Sequence, residues 1–208
     1  VTTTSGNNLN IVPGMNHWED EIPDVMRGEE TQVAGVMKEY GENALYVLPG
    51  THSKWVSVRN KKIQGFGTFM SGELFSVLVE YSILGRLIQG HKINEAAFER
   101  GCLQSLGKDS GLLHQLFSAR TLGLFDQVTG EDIHSFLSGL IIGAELREGL
   151  GVNSKMAFSG GHSVMLIGEA QLIRLYRLAF RLTGIDAVIV EGNPVTRGLY
   201  QIAKAATL

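Results

Sequence analysis

Only one cysteine, Cys102, occurs in the 208 residues, so no disulfide can close within the chain. Disulfides belong to oxidising compartments, and their exclusion here points to a reducing cytoplasm. Proline is scarce, with four residues, and tryptophan scarcer, with two. Neither sign of charge dominates: 18 Lys and Arg stand against 21 Asp and Glu, a formal net charge of −3, and the basic residues are scattered. A nucleic-acid surface gathers its cations on one face, so no nucleic-acid partner is expected. The apolar stretch 136–146 is interrupted by Ser138, Gly139 and Glu145 and is too short to span a bilayer, so no membrane partner is expected. The opening VTTTSGNNLN lacks the positive start and apolar centre of a secretory signal, and it lacks an initiator Met. The expectation is a piece of a longer gene product.

What is present suits a globular α/β protein, with 44% hydrophobic and 19% charged residues. The group Leu9, Ile11 and Val12 predicts a short strand, followed by an acidic loop carrying Glu19, Asp20, Glu21 and Asp24. Val33, Val36 and Met37 predict a helix over 29–39 that Gly41 terminates. Residues 44–48 read as a buried strand, 49–52 as a turn, 55–59 as an alternating strand and 62–69 as a third. Turns this short force an antiparallel meander. Helices follow over 72–87, 94–106, 111–119 and 130–148, the last with Thr129 as its cap. The chain then reads strand 155–158, a glycine turn, helix 169–183, strand 187–190 and helix 194–206. That order predicts a layered α/β sheet of mixed direction.

Three glycine-centred places are candidates for chemistry. The first is Met26-Arg27-Gly28-Glu29-Glu30 at a helix start. Acidic residues there suit the helix dipole. Equally, a carboxylate held at that point can take a proton from a substrate hydroxyl, while Arg27 grips a substrate carboxylate. The second is Pro49-Gly50-Thr51-His52-Ser53-Lys54 between two strands. Hairpin turns use Gly and Pro too, yet amides, hydroxyls and an ammonium on one tight turn suit the terminal phosphates of a nucleotide. The third is Ser159-Gly160-Gly161-His162-Ser163, which is either a plain turn or a place where a flat ring approaches backbone at a strand's carboxyl end. Glu73, in the stretch Met70-Ser71-Gly72-Glu73 where Ser71 is a candidate cap, is a further site candidate.

Other chemistries find no support, since there is no GxxxxGK[ST] loop, HExxH, paired CxxC or GxSxG elbow. His91, His114 and His134 are dispersed in helical or linking segments and read as surface or satisfied residues, so no metal site is expected.

Taken in order, VMRGEETQ (25–32), LPGTHSKWV (48–56), TFMSGELF (68–75), SILGR (82–86) and FLSGLIIGAEL (136–146) resemble the blocks of 2-dehydro-3-deoxygalactonokinases. The late pattern of FSGG, Leu172, Tyr176, Ala179, Gly198-Leu199 and Ile202-Ala203 is similar too. The resemblance implies an actin-like sugar kinase that uses ATP and Mg²⁺ on the 6-hydroxyl of a small sugar acid, 2-dehydro-3-deoxy-D-galactonate. It implies a ribonuclease-H-like lobe, three-layer α/β/α with a mixed sheet, over 33–208, and a remnant of the first lobe over 1–32. It places Glu29 as catalytic base, with Asp24 as second choice; beside it, the residues' own chemistry makes Arg27, Glu30 and Glu73 the expected substrate contacts. Gly50, Thr51, His52, Ser53 and Lys54 fall on a phosphate turn, and Gly160, Gly161 and His162 on the adenosine turn. Glu29 stands where related kinases carry Asp. The family's first Asp-x-Gly-Ser-Thr segment has no counterpart here, and Gly192-Asn193 replace an expected acidic residue. A non-catalytic nucleotide or sugar-acid sensor is the rival reading, favoured if Glu29 lies far from the hairpin turn. A third, a scaffold associating through 136–146, predicts an exposed apolar face there. Homodimer formation is left open.

Overall fold

A computed structural model describes residues 10–19, 21–107, 111–151 and 163–206. Strand β3 (Ala44–Leu48) is buried at every position, as expected of a strand covered on both faces. It pairs antiparallel with β4 (Ser53–Arg59), which pairs antiparallel with β5 (Lys62–Phe69). Asn60 and Lys61 make the β4–β5 turn with φ of 51° and 62°, the left-handed geometry of a tight hairpin. On the other side of β3 lie β6 (Ser163–Leu166) and then β7 (Val188–Ile189), both added in parallel. The five-stranded sheet therefore runs β5-β4-β3-β6-β7 and is of mixed direction, as the sequence predicts.

Each strand alternates its side chains between two packed faces. Tyr46, Val56, Val58 and Met165 meet Val33 and Val36 of α1 (Glu29–Tyr40). That helix ends at Gly41 and packs on α7 (Pro194–Ala205), which Asn193 caps through its side chain to the Thr196 amide. Leu45, Val47, Trp55, Val164 and Leu166 face α3 (Glu95–Gly107), α5 (Ile133–Gly149) and α6 (Ala170–Leu182). Helices α2 (Ser71–Tyr81) and α4 (Leu112–Leu124) pack around α5 in a separate apolar cluster. The α3–α5 crossing is close because Gly139 has no side chain, since a Cβ there would lie 2.0 Å from the Phe98 carbonyl oxygen.

Several expectations need correction. Residues 10–14 form no strand, and the acidic loop is instead a hairpin of β1 (Met15–Glu19) and β2 (Ile22–Met26) forming its own two-stranded sheet. Its Met15, Trp18, Ile22 and Val25 are exposed, so no inward alternation marked it. The helix expected over 72–87 stops at Tyr81, and a short 3₁₀ turn covers Gly85–Leu87. Thr129 lies upstream of α5 and its hydroxyl bonds the Asp132 carboxylate, not a helix amide. The strand expected over 155–158 lies outside the described residues, while Ser163, expected in the glycine turn, opens β6. Every residue of 136–146 is buried, so the scaffold reading has no exposed face. No helix among the described residues is long and apolar enough to cross a membrane.

Cys102 lies wholly inside this packing. Burial, with a smaller contribution from Glu99, pushes its thiol up to about 12. A thiol held protonated is a poor nucleophile. In the folded protein Cys102 should therefore stay unlabelled by a disulfide reagent at neutral pH, and denaturant should release one thiol; rapid labelling of the native chain would contradict this packing.

Candidate active site

The β3–β4 turn, Pro49 to His52, is held from one side by the start of α2. The Glu73 amide donates to the Thr51 carbonyl at 2.9 Å, and a Cβ on Gly72 would fall 2.3 Å from the Gly50 carbonyl oxygen. Glycine at 72 is therefore what lets the helix rest on the turn. Gly50 is half-buried while Thr51 and His52 are exposed, so the turn's outer side is open. His52 Nε2 pairs with Glu73 Oε2. Glu73 thus pairs with a residue of the turn.

The other two residues of the expected phosphate set turn inward. Ser53 is fully buried and donates to Glu145 Oε1 at 2.7 Å. Lys54 is 6% exposed, and its ammonium donates to the Val25 carbonyl at 2.7 Å and to the Thr68 hydroxyl. It ties the turn to the β1–β2 hairpin.

That hairpin and the turn enclose an open groove of about 670 Å³ lined by Arg27, Glu29, His52 and Lys54. Glu29 begins α1, is half-buried, and accepts the Arg27 amide at 2.9 Å. Gly28, at φ 110°, makes the bend that brings these amides round. Glu30 faces inward, accepting the Gly28 amide at 2.7 Å and the Thr31 hydroxyl at 3.0 Å. Asp24 spends both oxygens on Thr68, at 2.7 Å from the amide and 2.6 Å from the hydroxyl. Among these carboxylates Glu29 is the one that lines the groove.

On the far side of the turn is a second cavity, of about 250 Å³, whose walls include Gly50, Ser71, His134, Gln171, Leu172 and Tyr176. It sits at the carboxyl ends of β3 and β6, where Gly168 approaches the Pro49 carbonyl and Glu169 caps α6 by accepting the Gln171 and Leu172 amides. Gly160, Gly161 and His162 lie outside the described residues; among those described, Gly168 is the glycine at the carboxyl end of this strand. His134 stands edge-on to both Phe75 and His91, each with centroids 5.0 Å away. Its buried Nδ1 has no hydrogen-bond partner among the described residues, and burial followed by His91 lowers its pKa. From sequence alone His134 reads as a surface or satisfied residue, because the cavity and its His91 neighbour exist only in the fold.

Glu145 was not anticipated either. It is 3% exposed and accepts from Ser53, from Trp55 Nε1 at 2.6 Å, from the Tyr176 hydroxyl at 2.6 Å and from Ser71. A lone acid inside the apolar run FLSGLIIGAEL was the available signal, because a buried carboxylate must gather donors. Burial raises its pKa above the ordinary 4.5, and the four hydrogen bonds offset this only in part. A carboxyl whose pKa is raised on folding stabilises the fold below about 4.5 and loses that contribution as pH rises through the folded value. The stability difference between wild type and Glu145→Gln, measured by urea unfolding, should accordingly move in the variant's favour as pH is raised from 4 towards neutrality. A difference flat in pH would show that Glu145 titrates as it does in the unfolded chain.

Comparison with known proteins agrees with the motif resemblance. The family model described as 2-keto-3-deoxy-galactonokinase matches residues 1–202. The 2-dehydro-3-deoxygalactonokinase of Escherichia coli (strain K12) is 34% identical over 98% of this chain and 68% of its own. A probable 2-dehydro-3-deoxygalactonokinase of Rhizobium meliloti (strain 1021) is 33% identical over 95% of this chain and 64% of its own. A crystal structure from Sinorhizobium meliloti, of a candidate 2-dehydro-3-deoxygalactonokinase, superposes with a TM-score of 0.82 at 34% identity over 93% of this chain and 64% of that one. The chain thus spans about two thirds of the length of these relatives. With the family model matching nearly end to end, this chain belongs to the 2-keto-3-deoxy-galactonokinase family, a family of kinases.

Proposed function

We propose that this chain supplies the nucleotide site and part of the sugar-acid site of an enzyme that transfers the γ-phosphate of ATP to the 6-hydroxyl of 2-dehydro-3-deoxy-D-galactonate, in galactonate breakdown. The observation that carries the reading is the shared β3–β4 turn. One side of it borders the groove of Arg27 and Glu29, and the other borders the cavity of Ser71 and Tyr176. A phosphate chain lying on the amides of Gly50 and Thr51 would join a nucleoside in the cavity to an acceptor in the groove.

In this reading the Arg27 guanidinium grips the acceptor carboxylate. Glu29 takes the proton of the 6-hydroxyl as its oxygen bonds the γ-phosphorus; the bond from that phosphorus to the β–γ bridging oxygen breaks and ADP leaves. His52, oriented by Glu73, faces the phosphoryl group in transit. The adenosine turn is assigned to Gly160, Gly161 and His162, which lie outside the described residues, and Gly168 stands beside the nucleoside cavity at the carboxyl end of β6. Mg²⁺ would travel with ATP; among the described residues no three His, Cys, Asp or Glu cluster to cage it.

An antiparallel meander extended by parallel strands supports a ribonuclease-H-like lobe of an actin-type kinase over 33–208. The separate sheet of β1 and β2 supports assigning 1–32 to the first lobe. The groove shared by Glu29 and His52 favours an enzyme over a sensor. The test is ATP-dependent phosphorylation of 2-dehydro-3-deoxy-D-galactonate by the chain extended to its relatives' full length. No turnover of that acid or of its gluconate epimer would leave the sensor ahead.

A further inference from the structure

Glu145 is an expensive residue to place where it is. It is 3% exposed, and its donors are neutral groups: Ser53, Ser71, Trp55 and Tyr176. A buried carboxylate is a weak source of stability, because desolvation offsets what its hydrogen bonds return. Its partners are informative, since they come from different elements around one spot. Ser53 directly follows the phosphate turn, while Ser71 and Tyr176 line the nucleoside cavity. Tyr176 also reaches Ser53 at 3.4 Å, so the serine is held from two sides.

We infer that Glu145 is a positioning residue that locks the β3–β4 turn to the wall of the nucleoside cavity, so that the turn presents its amides to phosphate. The inference rests on the nucleotide reading above. With Ser53 drawn inward, the preceding Thr51 and His52 remain on the open side. Without the carboxylate, the Ser53 side chain keeps only the Tyr176 hydroxyl at 3.4 Å, and the seat of the turn against α2 loosens. The phosphates should suffer more than the nucleoside, because the cavity lining from α5 and α6, Ile142 and Leu175, is also held by apolar packing that needs no bond from Ser53.

The experiment is calorimetric titration of the chain with MgADP and, separately, with adenosine. Ser53→Ala cuts the link at the turn, while the cavity-lining Tyr176 keeps its shorter bond to Glu145. Glu145→Ala removes the hub. Both should weaken MgADP about tenfold or more, and in Ser53→Ala adenosine should stay within about twofold, as expected for loss of a hydrogen bond felt at the phosphates. Glu145→Gln can accept from Ser53 and Trp55 with its carbonyl and donate to the Tyr176 oxygen, so it should restore MgADP binding to within about threefold. If Ser53→Ala binds MgADP like wild type, or loses adenosine in equal measure, the positioning role is overturned; the second result would mark Glu145 as structural. Wild type binding neither MgADP nor adenosine would remove the nucleotide reading itself, and this inference with it.

Discussion

Glu29→Gln in the full-length enzyme should lower kcat by about 10²- to 10⁴-fold and leave the affinities for ATP and sugar acid near wild type. The substitution keeps the side chain's size and its acceptor for the Arg27 amide, 2.9 Å away, so the start of α1 should persist. What is lost is the capacity to take a proton. The same substitution at Asp24 should behave differently. Both Asp24 oxygens hold Thr68, so Asp24→Asn should loosen the hairpin from β5 and reduce stability, with a smaller change in kcat. Single-turnover kinetics with unfolding curves separates the two. A Glu29→Gln enzyme with near-normal kcat would remove Glu29 as base, and a larger kcat loss at Asp24 without loss of stability would put Asp24 in its place.

Trp55→Ala should be among the most damaging single changes to the fold, at about 5 kcal/mol. Trp55 is fully buried and packs against Phe69 and Phe180, each with ring centroids 5.7 Å away. Removing the indole opens a large void and also strips one donor from buried Glu145. Trp55→Phe keeps most of the ring but not the N–H, and should cost about 2 kcal/mol. The gap between the two variants is thus a measure of packing, and the residual in Trp55→Phe a measure of the hydrogen bond. Midpoint shifts in urea at constant slope would give both. A loss below about 1 kcal/mol for Trp55→Ala would mean that the site collapses and that Trp55 is no keystone.

The parts of this fold legible in the sequence are those where one physical signal acts alone. Residues 44–48 are apolar throughout and form β3 with those bounds; the Asn60-Lys61 turn and the Gly41 stop are equally local. The β1–β2 hairpin was hidden because its apolar side chains Met15, Trp18, Ile22 and Val25 face solvent, with Met26 alone of its large apolar residues in the core, and because ladder pairing and tethers to β4 and β5 help hold it. In the site, Arg27 and Glu29 share a groove with His52, which their separation in sequence does not show without the fold. The inward turn of Ser53, and Glu73's pairing with His52, could not be read, because both depend on partners distant along the chain. Glu145 announced itself only as an oddity in an apolar run; its four donors are brought to it by the fold.

Strands β3 and β6 run parallel, so their carboxyl ends lie on the same edge of the sheet. Each delivers a turn there, although more than a hundred residues of chain separate Gly50 from Gly168. Helices α2 to α5 fill that interval, and only a few of their side chains reach the turns. Such an architecture leaves the connections between those helices free to vary. Loops there can lengthen or shorten with little entropic penalty while the pairing of β3 with β6 preserves the spacing of the two turns. Relatives that differ in length should therefore concentrate their insertions between α2 and α5, and an engineer seeking a place to graft a reporter domain should start there.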